Sequence, residues 1–167
     1  PSWRRSITGY DAMVMSNPPT RTTPRSDIGR QLLHYWQGKA ANRAQSLPAR
    51  SDIHPCELVK ILSNLFLVNV RHDPLGFSYR LVGTAIVARS AGDYTGMSVE
   101  EIPMQKPPSR IWSLFDRAVC ARAPACALIP YRDEENRFVE QQALPLSNDG
   151  DRINMLIGSI VFDQSEP

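Results

Sequence analysis

Cysteine is scarce in this chain of 167 residues, where only Cys56, Cys120 and Cys126 occur. An odd number without paired spacing gives no disulfide framework, and no C-x-x-C is present to hold zinc. Reduced cysteines packed as small apolar side chains are expected instead. Long apolar runs are missing too: none approaches the ~20 residues that span a bilayer. Arg4 and Arg5 are not followed by the continuous apolar stretch of a secretory signal. No membrane partner is expected, and the cytoplasm is the expected compartment. The chain also has no G-x-S-x-G, P-loop, G-x-G-x-x-G or H-x-x-x-H, so none of these motif-borne chemistries is indicated.

Charge of one sign is equally thin. The net charge is +2, and residues 1–26 carry Arg4, Arg5, Arg21 and Arg25 against Asp11 alone. What remains for the folding part is about −1. Phosphate neutralisation supplies most of the affinity for a duplex and shows as a basic face on the folded domain. No nucleic-acid partner is expected.

What is present is an ordinary globular composition, with 42% apolar and 22% charged residues, at a length that suits one domain. Residues 1–26, rich in Ser, Thr, Pro and Arg, read as a disordered lead, and residues 27–165 as a single domain with an N-terminal helical extension. Ser26 or Asp27 can cap a first helix, with Ile28, Leu32, Leu33, Tyr35 and Trp36 at helical spacing and Gly38 as its stop. Residues 51–65 read as a second helix, with Pro55 in its first turn and Leu58, Ile61, Leu62 and Leu65 on its buried face.

The period then changes. LFLVNV (65–70) and FSYRLVG (77–83), joined by a turn with Asp73, Pro74 and Gly76, form a hairpin. Residues 84–91 form a short helix, Ser98 and Glu101 a capping box, and residues 110–123 a longer helix capped by Ser109. Strands follow at 126–133, 137–148 and 153–162, with turns at 134–136 and 149–151. Pro130 places the first of these at the sheet rim, and the apolar last strand belongs at its centre. The predicted fold class is α+β: a five-stranded antiparallel sheet with helices packed on one face, plus the N-terminal helices.

The local residues narrow this further. Tyr35–Trp36, LPARSDIHP (47–55) followed by Glu57, LFLVNV, FSYRLVGT (77–84) and Gly92-x-x-Thr95-Gly96 resemble the PAS-like domain family of small alphaproteobacterial proteins, over residues 28–162. The resemblance implies a PAS fold and a stand-alone sensory or regulatory domain without catalysis, binding a small ligand, a signalling partner protein, or both. It also implies a pocket wall drawn from Tyr79, Arg80, Ile86, Val87, Met97, Ile102, Trp112 and Phe115. Haem-binding members carry a histidine on or near the long helix, but residues 110–123 have none; His34, His54 and His72 lie in the first helix, at a cap and in the hairpin turn. Flavin photosensors carry an Asn-Cys-Arg motif after the second strand, where TAIVARSAG has no cysteine. Neither cofactor is expected, and no metal.

Arg80 alternates with Tyr79 and Leu81, so it faces outward if those two face the helices; a role holding an anion is the alternative. Asp52 with Arg50 reads as a cap and an ion pair, and Asp93 as a turn cap. The stripe Ile28, Leu32, Tyr35 and Trp36 is the expected homodimer or partner surface, because large aromatics dominate interfaces. Output is expected to pass to a separate protein. Two rival readings remain: a small α+β cone-fold enzyme or carrier with a polar pocket, and a ligand-free interaction module with a closed core.

Overall fold

The computed structural model describes residues 21–130 and 137–165. The expectations for residues 1–20, for the strand end at 131–133 and for the turn at 134–136 lie outside these. Five strands, β1 (Leu65–Arg71), β2 (Gly76–Val82), β3 (Ala125–Pro130), β4 (Arg137–Leu146) and β5 (Met155–Ser165), form one antiparallel sheet in the order β2-β1-β5-β4-β3. β5 is central and apolar. β3 is an edge strand and ends on Pro130, which has no N–H to give a neighbour.

The register sorts the side chains, because directly opposed residues point to the same face. Phe66 opposes Gly158, which opposes Ala143, which opposes Ala125; this row and its alternates form the inner face. Leu67, Ile157 and Leu144 belong to the outer face. Helix α1 (Asp27–Ala40) packs on β4 and β5 from outside, since Glu140 and Gln142 bond to its first turn. After the short helix α2 (Thr84–Arg89), helix α3 (Arg110–Ala121) packs from inside through Phe115, whose ring lies 5.7 Å from that of Phe66. Helices therefore cover both faces, and β4 is buried continuously from Glu140 to Leu146.

Ser26 caps α1 by accepting from the Gly29 N–H at 3.0 Å, and Ser109 caps α3 by accepting from Trp112 N–H. Gly38 does not stop α1, which runs on to the buried Ala40. Residues 21 and 25–26 do not belong to a disordered lead: Arg21 exchanges both backbone hydrogen bonds with Cys126, and residues 25–26 bond to Glu140.

The second helix does not form. Residues 50–64 make three isolated 3-10 turns, at Arg50–Asp52, Pro55–Glu57 and Leu62–Asn64. Ile53 and the pre-proline His54 are extended, which interrupts any helix there. Of the expected buried face, Leu58, Ile61 and Leu65 reach the core, whereas Leu62 is exposed because the backbone leaves the helical path. Asp52 accepts from the Ala49 N–H and pairs bidentately with Arg43 at 2.7 and 2.8 Å, whereas Arg50 turns to the Ile53 carbonyl. No Ser98–Glu101 box forms; the Ser98 hydroxyl donates to Glu100 instead. Asp93 does close its turn, accepting from Thr95 N–H and hydroxyl.

Candidate functional site

A cavity of about 200 Å³ lies between the inner face and the helical middle of the chain. Its apolar walls include Phe66, Val82, Ile86, Ile111, Ile129 and Ile160, and its polar groups are Tyr79, Gln105, Gln141, Ser90 and the Tyr94 ring with its hydroxyl. No charged residue lines it, nor any histidine or cysteine among the described residues.

β2 sets the Tyr79 end. The Tyr79 N–H donates to the Met97 carbonyl at 2.9 Å, and the Tyr79 carbonyl accepts from Gly96 N–H at 2.7 Å. This locks residues 94–97 along the sheet edge, where Gly96 adopts a φ of +85°. Tyr94 is thereby stacked on Tyr79 at 6.2 Å. The Tyr79 hydroxyl donates to Gln105 Oε1 at 2.6 Å, and burial pushes it well above the usual tyrosine range, so it stays a donor. Gln105 is held in turn: its N–H donates to the Ile102 carbonyl, and its own carbonyl accepts from the Ser109 hydroxyl.

β4 sets the other end. Glu140, Gln141 and Gln142 are three successive polar residues, each 5% exposed or less. Gln141 points inward to the cavity, and its Oε1 is buried without a hydrogen-bond partner. Glu140 and Gln142 point outward beneath α1. The Glu140 carboxylate accepts from Arg25 N–H at 2.6 Å, from Ser26 N–H and from the Ser26 hydroxyl, at the positive end of α1. Gln142 donates to the Gly29 carbonyl.

Of the predicted wall, Tyr79 and Ile86 line the cavity. Phe115 is fully buried beneath Phe66, Phe77 and Tyr79, and Ile102 is core. Trp112 packs edge-on against Phe77 at 4.8 Å, away from the cavity. Val87 is half-buried and does not line it, and Met97 is exposed because its backbone, not its side chain, serves β2.

Arg80 is exposed, and so is Leu81, at 49%. The cause is a β-bulge: Leu67 pairs with Leu81 and Val68 with Tyr79, leaving Arg80 as the extra residue. Alternation restarts after it, so Val82 rather than Leu81 reaches the cavity.

The predicted partner stripe is also redirected. Leu32 is fully buried, and Trp36 lies in the core with its Nε1–H donating to the Pro145 carbonyl at 2.9 Å. Tyr35 accepts from His54 N–H and donates to Glu57, which also pairs with Lys39, and Ile28 is half-buried. The amphipathic face is consumed by the chain's own sheet and the 50–57 turns, which an apolar stripe cannot distinguish from a partner surface. Gln105 and Gln141 were missed. The signal for Gln141 was available, since a Glu-Gln-Gln run inside an otherwise apolar strand demands internal partners; nothing in the loop sequence singled out Gln105.

Residues 25–161 match the family model described as a PAS domain. Nothing among curated proteins matches the sequence. Two solved structures are similar at 15% identity. One is a sensory box sensor histidine kinase from Vibrio cholerae, with a TM-score of 0.44 over 66% of this chain and 87% of that one. The other is an RNA-binding Light-Oxygen-Voltage receptor, with a TM-score of 0.42 over 80% of this chain and 49% of that one.

Proposed function

The chain belongs to the PAS domain family of sensory and regulatory modules, and on that premise we propose that it senses a small molecule bound in the inner-face cavity and signals to a separate protein through α1. The observation that carries this reading is the buried Gln141 Oε1 without a partner. An unpaired acceptor away from water costs about 1–3 kcal/mol, and a ligand donor would recover it. The same strand supplies the route outward: Gln141 meets the ligand while its neighbours Glu140 and Gln142 hold α1. A ligand can bias α1 only by binding one arrangement of β4 better than another.

Catalysis is not part of this reading. The cone-fold alternative requires a titratable pocket, and among the described residues the cavity lining has no charged or histidine side chain. The closed-core alternative is disfavoured by the cavity itself.

Native mass spectrometry of the purified protein against its denatured mass tests the sensing half. A small molecule released on denaturation is the expected result; bare protein that also binds none of a panel of small neutral compounds would sink it. Hydrogen exchange tests the output half. Protection of residues 27–33 should differ between loaded and stripped protein, and unchanged protection would exclude transmission through α1.

A further inference from the structure

The polar groups of the cavity are not gathered at one spot. Tyr79 is on β2 and Gln141 on β4, with β1 and β5 between them. At about 4.8 Å per strand their backbones lie roughly 14 Å apart across the sheet. Between them the wall is apolar, formed by Phe66, Val82, Ile86 and Ile160. A buried water needs two to four polar partners, and Gln141 offers only its own amide at its end. The Tyr79 hydroxyl is already committed to Gln105 at 2.6 Å, and Ser90 and Tyr94 supply the other polar groups of the described wall. The apolar stretch between these polar groups favours an organic occupant over ordered water.

Size and charge restrict it further. An apolar cavity of about 150 Å³ accommodates benzene, so about 200 Å³ holds one ring with a small substituent, or a branched chain of similar bulk. Among the described residues no charged side chain lines the space to pair with an ion, and burying an unpaired charge is strongly unfavourable. Gln141 is 5% exposed and its carbonyl oxygen is the unpaired buried acceptor on the described cavity wall, whereas Gln142 Oε1 and Ser159 Oγ, also buried and unpaired, lie opposite one another on the outer face.

Resting on the reading of this cavity as the sensory site, we propose that its ligand class is a small uncharged molecule, of single-ring size, whose O–H or N–H donates to Gln141 Oε1. Gln141 is then the specificity-determining residue, and the apolar walls contribute affinity without discrimination.

The test is binding of phenol, toluene and benzoate to the full chain at pH 7, after refolding from denaturant to strip any resident molecule, followed by backbone amide shifts. These probes share the ring and differ in donor and charge. Phenol should bind at least as tightly as toluene, and benzoate at least tenfold more weakly than either. Gln141→Leu should weaken phenol about tenfold, the loss of one buried hydrogen bond, and leave toluene unchanged or tighter. Toluene binding more tightly than phenol to the wild type would overturn the donor requirement while leaving the cavity reading intact. Benzoate binding on a par with phenol would overturn the uncharged class. If no probe perturbs the cavity residues, this proposal and the sensory reading fall together. The wild-type ranking decides the matter even if the variant does not fold.

Discussion

Replacing Glu140 by alanine should detach the start of α1 from the sheet. The carboxylate is 1% exposed and accepts from two backbone N–H groups and a hydroxyl, all at the positive end of the helix. Hydrogen bonds to a charged group contribute about 1.5–3 kcal/mol each. Relief of the carboxylate's desolvation offsets part of their loss, and breaking a buried charged network by removing one member costs about 3–5 kcal/mol. A net loss of about 3 kcal/mol is expected. With a urea dependence near 2 kcal/mol per molar, the unfolding midpoint should fall by roughly 1.5 M. Glu140→Gln keeps the shape but turns an amide N–H toward N–H donors, so about half that loss is expected. Arg71→Ala, which breaks the pair with Glu100 from its exposed side, serves as control and should cost under about 1 kcal/mol. Hydrogen exchange should show the Gly29 amide losing protection before the β4 amides do. A midpoint shift below about 0.5 M for Glu140→Ala would refute the claim that this carboxylate anchors the helix.

Three further outcomes follow from packing and burial. A Cβ at Gly158 would overlap the Phe66 ring and the Gln142 carbonyl oxygen, so Gly158→Ala should cost about 1–3 kcal/mol and lower Tm by several degrees; an unchanged melting curve would mean the sheet centre yields more easily than its packing implies. Burial, reinforced by the charge of Glu140, pushes the Cys126 thiol up to about 12 from near 9. The folded chain thus keeps a proton that the unfolded chain loses, and this contribution is complete below pH 9 and lost as pH rises toward 12. At about 1.4 kcal/mol per unit it reaches about 4 kcal/mol. Urea midpoints should therefore fall more steeply between pH 8 and 11 in the wild type than in Cys126→Ala, and parallel slopes would contradict this. At pH 8, alkylation followed by mass spectrometry should find Cys56 and Cys120 modified in the folded protein and Cys126 intact.

The features legible in the sequence were those with a strong local cause. Alternation marked the hairpin, apolar runs between short turns marked the last three strands, Ser26 and Ser109 marked the helix starts, and Pro130 marked the sheet edge. The misreadings arose where one local pattern fits two structures. Leu58, Ile61, Leu62 and Leu65 have helical spacing, yet successive turns around Pro55 deliver Leu58 and Ile61 to the same core. A bulge such as that at Arg80 has no residue signature of its own here, and it reverses every assignment after it, as Leu81 and Val82 show. The cavity drew its decisive side chains from β4 and a loop 36 positions earlier in the chain, Gln141 and Gln105. Their juxtaposition is a product of topology, and only the buried Glu-Gln-Gln run hinted at it.

The interleaving along β4 constrains how this strand can evolve. Val139 and Gln141 serve the cavity, and Glu140 and Gln142 serve the helix dock, in strict alternation. Inserting or deleting one residue inside the strand would exchange the two sets, turning a carboxylate into the apolar chamber and the Gln141 amide toward α1. Substitutions can retune either face independently, because neighbours along the strand do not share a side of the sheet. Changes of length cannot. Relatives that differ in chain length between β4 and β5 should carry the difference in the turn around residues 147–154, and the spacing from Val139 to Leu146 should be held constant even where the residues themselves have diverged.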